Sequence, residues 1–131
     1  GVKIALWGLA FKPETDDIRE APALYMIEKL TDAGAQVVAY DPEAMENVKN
    51  RIGDRIAYAD RAMDALDGAD ALLICTEWQV FRNPDFNEVK DRLNNPVIFD
   101  GRNLYDLDRM ASLGFYYKSI GRHTVHLPTD A

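Results

Sequence analysis

The chain alternates short, nearly continuous apolar runs with longer stretches whose apolar residues recur at helical spacing, the two separated by glycine, proline and carboxylate residues. Lys3 to Trp7 is the first run; it stops at Gly8 and reads as a buried parallel strand covered on both faces. Pro22 is tolerated only in a helix's first turn. Ala23, Ile27 and Leu30 follow at helical spacing, Leu24 and Met26 widen the apolar face, and Gly34 stands at C′. Val37, Val38 and Tyr40 predict a second strand stopped by Asp41-Pro42, and Glu43 to Lys49 predicts a helix or helical turn. Ile56 to Tyr58 is a weaker strand pattern, and Asp60 is placed to cap a short helix through Leu66 that closes at Gly68.

Ala71 to Cys75 is apolar throughout, which predicts a strand at the sheet centre. Asp85 with Glu88 has the spacing of a capping box for a helix that buries Phe86, Val89 and Leu93. Val97 to Phe99 predicts another buried strand, ending in Asp100-Gly101-Arg102-Asn103. Asp106 then caps a helix with Leu107, Met110 and Leu113 inward, closed by Gly114, and Phe115 to Tyr117 makes a last strand. From Ser119 onward the pattern is irregular. Strands alternating with helices at these spacings imply an α/β fold: a doubly wound, mostly parallel, Rossmann-like sheet with helices on both faces. The expected organisation is one domain over 1–122 followed by an irregular tail over 123–131.

A sheet of this class binds ligands beyond the carboxyl ends of its strands. Lys12 and Arg19 follow the first strand, Arg82 the fourth, Arg102 the fifth, and Lys118 and Arg122 the last. The chain as a whole is acidic, with a formal charge of −7 and pI near 4.7, so cations concentrated on that edge point to an anionic small ligand. The same acidity argues against a nucleic-acid surface, which needs lysine and arginine to neutralise phosphates. With 47% hydrophobic and 28% charged residues over 131 positions, the composition is that of a globular domain able to bury its own core. No apolar run approaches the roughly 18 residues of a membrane span, no secretory leader pattern opens the chain, and the single cysteine forms no internal disulfide. A cytoplasmic location is expected. The chain begins directly on a strand, which suggests a domain of something longer.

The stretch Gly8 to Pro22 has the look of a phosphate-binding turn, in which free backbone N–H groups and a helix start would face an anion. It departs from the dinucleotide fingerprint, since G-x-G-x-x-G laid from Gly8 demands glycine where Ala10 and Pro13 stand. A side-chain cation such as Lys12 would then take over from backbone contact with phosphate. Asp41 reads as a turn residue before Pro42, and the Asp16-Asp17 pair as capping groups for the following helix rather than a magnesium site. Cys75, inside an apolar run, reads as an inert core thiol. Trp7 reads as core, whereas Trp78 is divided between packing and stacking on a base. His123 and His126 have an H-x-x-H spacing but no thiol or carboxylate cluster near them, so neither a metal site nor a catalytic residue is expected.

Gly8-Leu9-Ala10-Phe11-Lys12-Pro13 with Thr15-Asp16-Asp17-Ile18-Arg19-Glu20, Cys75-Thr76-Glu77-Trp78 with Phe81, and Phe99-Asp100-Gly101-Arg102-Asn103 together resemble the C-terminal domain of UDP-glucose 6-dehydrogenases. The first motif is shared with the wider nucleotide-sugar dehydrogenases, including those acting on GDP-mannose and UDP-N-acetylmannosamine; the second and third tilt the resemblance toward UDP-glucose. It implies a parent with an N-terminal NAD-binding domain, a long central dimerisation helix and this UDP-binding domain, forming a homodimer that oxidises UDP-glucose to UDP-glucuronate with two NAD. By resemblance Phe11, Lys12 and Arg102 would contact the nucleotide sugar, and Arg19 would reach NAD held by the partner domain. The family's catalytic thiol lies outside this chain, so the fragment alone is expected to be inactive. The alternative is a free-standing nucleotide-binding module with no chemistry.

Overall fold

The computed structural model describes residues 2–126. Six strands form one sheet: β1 (Lys3–Trp7), β2 (Gln36–Tyr40), β3 (Ala57–Tyr58), β4 (Ala71–Ile74), β5 (Val97–Asp100) and β6 (Tyr116–Ser119). Their order is β3-β2-β1-β4-β5-β6, and every neighbouring pair is parallel. The chain walks outward from β1 to β3, returns to the centre, and walks outward the other way. With right-handed crossovers, that reversal puts α1 (Pro22–Asp32) and α2 (Met45–Ile52) on one face, and α3 (Phe86–Arg92) and α4 (Leu107–Leu113) on the other. The expected doubly wound architecture is the observed one, with β1 and β4 at the centre.

Two cores result. On the face of α3 and α4, Trp7 stacks on Phe81 with ring centroids 5.0 Å apart, among Leu66, Leu72, Ile74, Ile98, Met110, Phe115 and Tyr117. On the face of α1 and α2, Leu6, Leu9, Ile27, Val37 and Val48 are buried together. Trp7 is core, as its place in a strand implies, and its indole N–H is satisfied by the Ala62 carbonyl at 2.8 Å. Because α1 and α2 lie over β1, β2 and β3, the same face of β4 to β6 is only partly covered, which leaves Phe99 37% exposed.

Local signals placed most boundaries. Pro22 opens α1, Asp106 accepts from the Arg109 N–H at 3.0 Å to cap α4, and Gly114 closes α4 in the left-handed conformation. Four expectations are corrected. Asp60 caps nothing: the segment is only a 3₁₀ turn over Met63–Leu66, and the Ala62 carbonyl that would start a longer helix is taken by Trp7. Glu88 does not complete a capping box; Asp85 alone accepts from the Asn87 and Glu88 N–H groups, while Glu88 turns to Arg92 at 2.9 Å. Asp16 and Asp17 do not cap α1, whose N-cap, Ala21, has no side-chain bond; the carboxylates lie too far upstream. The irregular stretch from Ser119 begins in strand, since Ser119 ends β6, and Val125 returns to bridge Tyr117 in antiparallel fashion. The remainder of the expected tail, from 127 onward, lies outside the described residues.

Candidate functional site

Three loops meet at the carboxyl ends of the central strands: the segment after β1, Asp41 just after β2, and Thr76-Glu77-Trp78 just after β4. Gly8 makes the first of these possible. Its φ of +98° suits glycine, and a Cβ built there would stand 2.5 Å from the Thr76 Cβ. That close approach lets the Thr76 hydroxyl donate to the Ala10 carbonyl at 2.8 Å.

The N–H groups of Gly8 to Phe11 are not free, which corrects the phosphate-turn expectation for that part of the stretch. Gly8 N–H donates to the Tyr40 carbonyl at 2.9 Å, and Phe11 N–H to the Asp17 carbonyl at 2.7 Å. Leu9 and Ala10 N–H groups donate to Asp41 Oδ2 at 2.7 and 3.1 Å. The same oxygen accepts from the Trp78 indole at 3.1 Å, while Asp41 Oδ1 accepts from Glu43 and Ala44 N–H, each at 2.8 Å. Asp41 is therefore more than a turn residue: fully buried, it takes five hydrogen bonds and occupies the position an external anion would need. A dinucleotide pyrophosphate does not fit this turn. Trp78 is 6% exposed with its N–H committed, so the base-stacking alternative falls away.

What the turn presents outward is side chains. Phe11 is 49% exposed and Lys12 is exposed, and among the described residues no carboxylate pairs with Lys12. Arg102 lies across the site on the loop after β5, half-exposed, with its Nε donating to Glu77 Oε2. Its backbone is anchored by Asp100, buried at 2% exposure, which accepts from Arg102 N–H at 2.8 Å, Leu104 N–H at 2.6 Å and the Tyr117 hydroxyl at 2.6 Å. Burial, and then the bond to Asp100, push the Tyr117 hydroxyl well above the ordinary tyrosine range. Arg122 donates to that hydroxyl at 2.9 Å and to the Tyr105 carbonyl at 3.0 Å. Arg122 thus faces inward and Lys118 lies within β6, so neither belongs to a loop of free cations as expected.

Arg19 lies beyond Lys12 on the same segment. It is exposed and forms a two-pronged pair with Asp17 at 2.9 and 3.0 Å, which lowers the Asp17 carboxyl to about 2. Beside Arg102 a groove of about 420 Å³ runs over the uncovered half of the sheet, bordered by Met26, Leu73, Cys75, Phe99 and Ile120. Cys75 lies one residue past β4, not inside it, and is buried; desolvation pushes its thiol up to about 12. That excludes a poised nucleophile at neutral pH. His126 packs edge-on against Tyr116.

A three-two-one-four-five-six parallel sheet, with the Gly8 to Phe11 amides turned onto protein acceptors, defines a Rossmann-like α/β domain whose glycine turn departs from the dinucleotide-binding form. Residues 5–107 match the model of the UDP-glucose/GDP-mannose dehydrogenase family, UDP binding domain, and the chain belongs to that family. It is 49% identical over 127 residues to a UDP-glucose 6-dehydrogenase of Pseudomonas aeruginosa, covering 93% of this chain and 28% of that one. Among solved structures it resembles an NDP-N-acetyl-D-galactosaminuronic acid dehydrogenase from Methanosarcina mazei, with a TM-score of 0.81 and 31% identity over 94% of this chain and 25% of the other. A UDP-glucose dehydrogenase from Pyrobaculum islandicum gives a TM-score of 0.75 at 30% identity, with 90% and 25% covered. The chain spans about 28% of the length of the Pseudomonas relative. Among the described residues no helix is long and apolar enough to cross a membrane.

Proposed function

We propose that this chain binds the UDP end of UDP-glucose for a parent enzyme that oxidises it to UDP-glucuronate with NAD. The observation that carries this reading is the family match over residues 5–107. Lys12 and Arg102 neutralise the diphosphate, Arg102 by turning from Glu77 to phosphate oxygens, and Phe11 covers the nucleotide sugar. The glycine turn does not accommodate a dinucleotide, so NAD is held by a domain of the parent outside this chain, and Arg19 reaches toward it from the surface. The parent is a homodimer, and its compartment is the cytoplasm. Neither Cys75 nor any other group here supplies a nucleophile for the oxidation.

Titration calorimetry on the 131-residue chain tests this. UDP and UDP-glucose bind in preference to GDP and GDP-mannose, and Lys12→Ala and Arg102→Ala each weaken UDP about tenfold, the loss of one charge-assisted phosphate contact. Equal binding of GDP shifts the reading to a GDP-sugar dehydrogenase. Unchanged UDP binding in both variants removes the site assignment.

A further inference from the structure

Asp41 stands 32 positions from Leu9 in sequence, yet its carboxylate is the point at which the three loops join. All five of its partners are N–H donors, and they come from the segment after β1, from the entry to α2 and from the loop after β4. Thr76-Glu77-Trp78 extends the connection: Thr76 bonds the Ala10 carbonyl, Trp78 bonds Asp41, and Glu77 bonds Arg102. One buried carboxylate and one tripeptide therefore link the segment carrying Lys12 to the loop carrying Arg102.

We propose that Asp41 is a positioning residue: its carboxylate is a resident anion in the glycine turn and, through Trp78, ties the segment carrying Lys12 to the loop that leads to Arg102. One consequence follows from the geometry. The amides of Gly8 to Phe11 all face protein acceptors, so a free phosphate finds no amide nest within those four residues. This inference rests on the assignment of Lys12 and Arg102 as the UDP contacts.

The test is titration of UDP into the 131-residue chain and its variants, with and without formate. Asp41→Ala leaves the five donors around a gap that a formate ion can fill. It is expected to bind UDP about tenfold more weakly and to recover to within about threefold of wild type in about 0.1 M formate. Formate is expected to leave the wild type and Lys12→Ala unchanged, which a general loss of stability would not explain. Trp78→Phe removes the indole donor and trims the buried ring; about threefold weaker binding at an only modestly lower melting temperature is expected, without formate rescue, and this variant decides the matter if Asp41→Ala does not fold. Wild-type affinity in a folded Asp41→Ala, no recovery in formate, or wild-type affinity in Trp78→Phe where Asp41→Ala cannot be read, overturns the proposal. Should Lys12→Ala and Arg102→Ala bind UDP normally, the underlying site assignment fails instead. The melting temperature of Asp41→Ala still reads the resident anion in that case: a rise in formate absent from wild type supports it, and no rise refutes it.

Discussion

Tyr117→Phe isolates the anchor beneath Arg102, because it deletes one hydroxyl and leaves the ring in place. That hydroxyl donates to Asp100 Oδ2 at 2.6 Å and accepts from Arg122 at 2.9 Å and, at the longer distance of 3.3 Å, from the Tyr105 N–H. The first two partners are charged, and hydrogen bonds to charged groups contribute about 1.5–3 kcal/mol each when lost from a buried site. Asp100 retains the Arg102 and Leu104 amides, and Arg122 retains Ser119 and the Tyr105 carbonyl, so neither charge is stranded. The expected cost is therefore about 2–3 kcal/mol rather than the full sum of two charged bonds. Urea unfolding followed by far-ultraviolet circular dichroism measures it: at a slope of about 1–2 kcal/mol/M for a chain of this size, the midpoint falls by roughly 1–3 M with the slope unchanged. Arg122→Ala in the Tyr117→Phe background adds less than it does in wild type, by about 1 kcal/mol, because the two side chains share a bond. A Tyr117→Phe loss under about 0.5 kcal/mol, or strict additivity with Arg122→Ala, refutes the claim that this network holds the Arg102 loop.

Gly8→Ala places a Cβ at φ +98° and 2.5 Å from Thr76; backbone strain of about 1–2 kcal/mol and overpacking of about 1–3 kcal/mol together predict a melting temperature at least 6 °C lower, to be read by calorimetry. Cys75 in the native chain reacts with a thiol-specific disulfide reagent far more slowly than in urea. Its thiol also sets a pH dependence: the unfolded group ionises near 9.0 and the folded one near 12, so between those values the unfolded chain has released a proton that the folded chain keeps. Stability consequently falls as pH rises through that window, by about 1 kcal/mol from this group at pH 10, and Cys75→Ala removes that component of the slope. With UDP-glucose and NAD the chain by itself produces no NADH, while the parent enzyme does; measurable turnover by the chain would contradict the assignment of the chemistry to other domains.

The parallel sheet was legible because buried strands appear as short apolar runs and helices carry their own punctuation in Pro22, Asp85, Asp106 and Gly114. Lys12, Arg19 and Arg102 were also legible as cations in the loops that follow strands, since strand ends can be read from Gly8, Thr76 and Gly101. The supporting groups were not. Asp41 looks like any aspartate before a proline; only the fold brings it against Leu9, Ala10 and Trp78, a juxtaposition that no local pattern encodes. Its signal was indirect: a glycine turn lacking the later glycines has no use for an external pyrophosphate, so its amides require another acceptor. Trp78 was undecidable from its loop position for the same reason. Arg122 and Tyr117 lie five residues apart around a turn, and their union with Asp100 depends on β5 and β6 being neighbours.

The most direct test of the whole account is a titration of the isotopically labelled chain with UDP, followed residue by residue through its backbone amides and arginine side chains. Shifts are expected to concentrate at Phe11, Lys12 and the Arg102 side chain. The Leu9 and Ala10 amides stay near their starting positions because Asp41 still holds them. Shifts confined to residues of α1 and α2, large movement of the Leu9 and Ala10 amides, or no shift at saturating UDP would contradict this assignment.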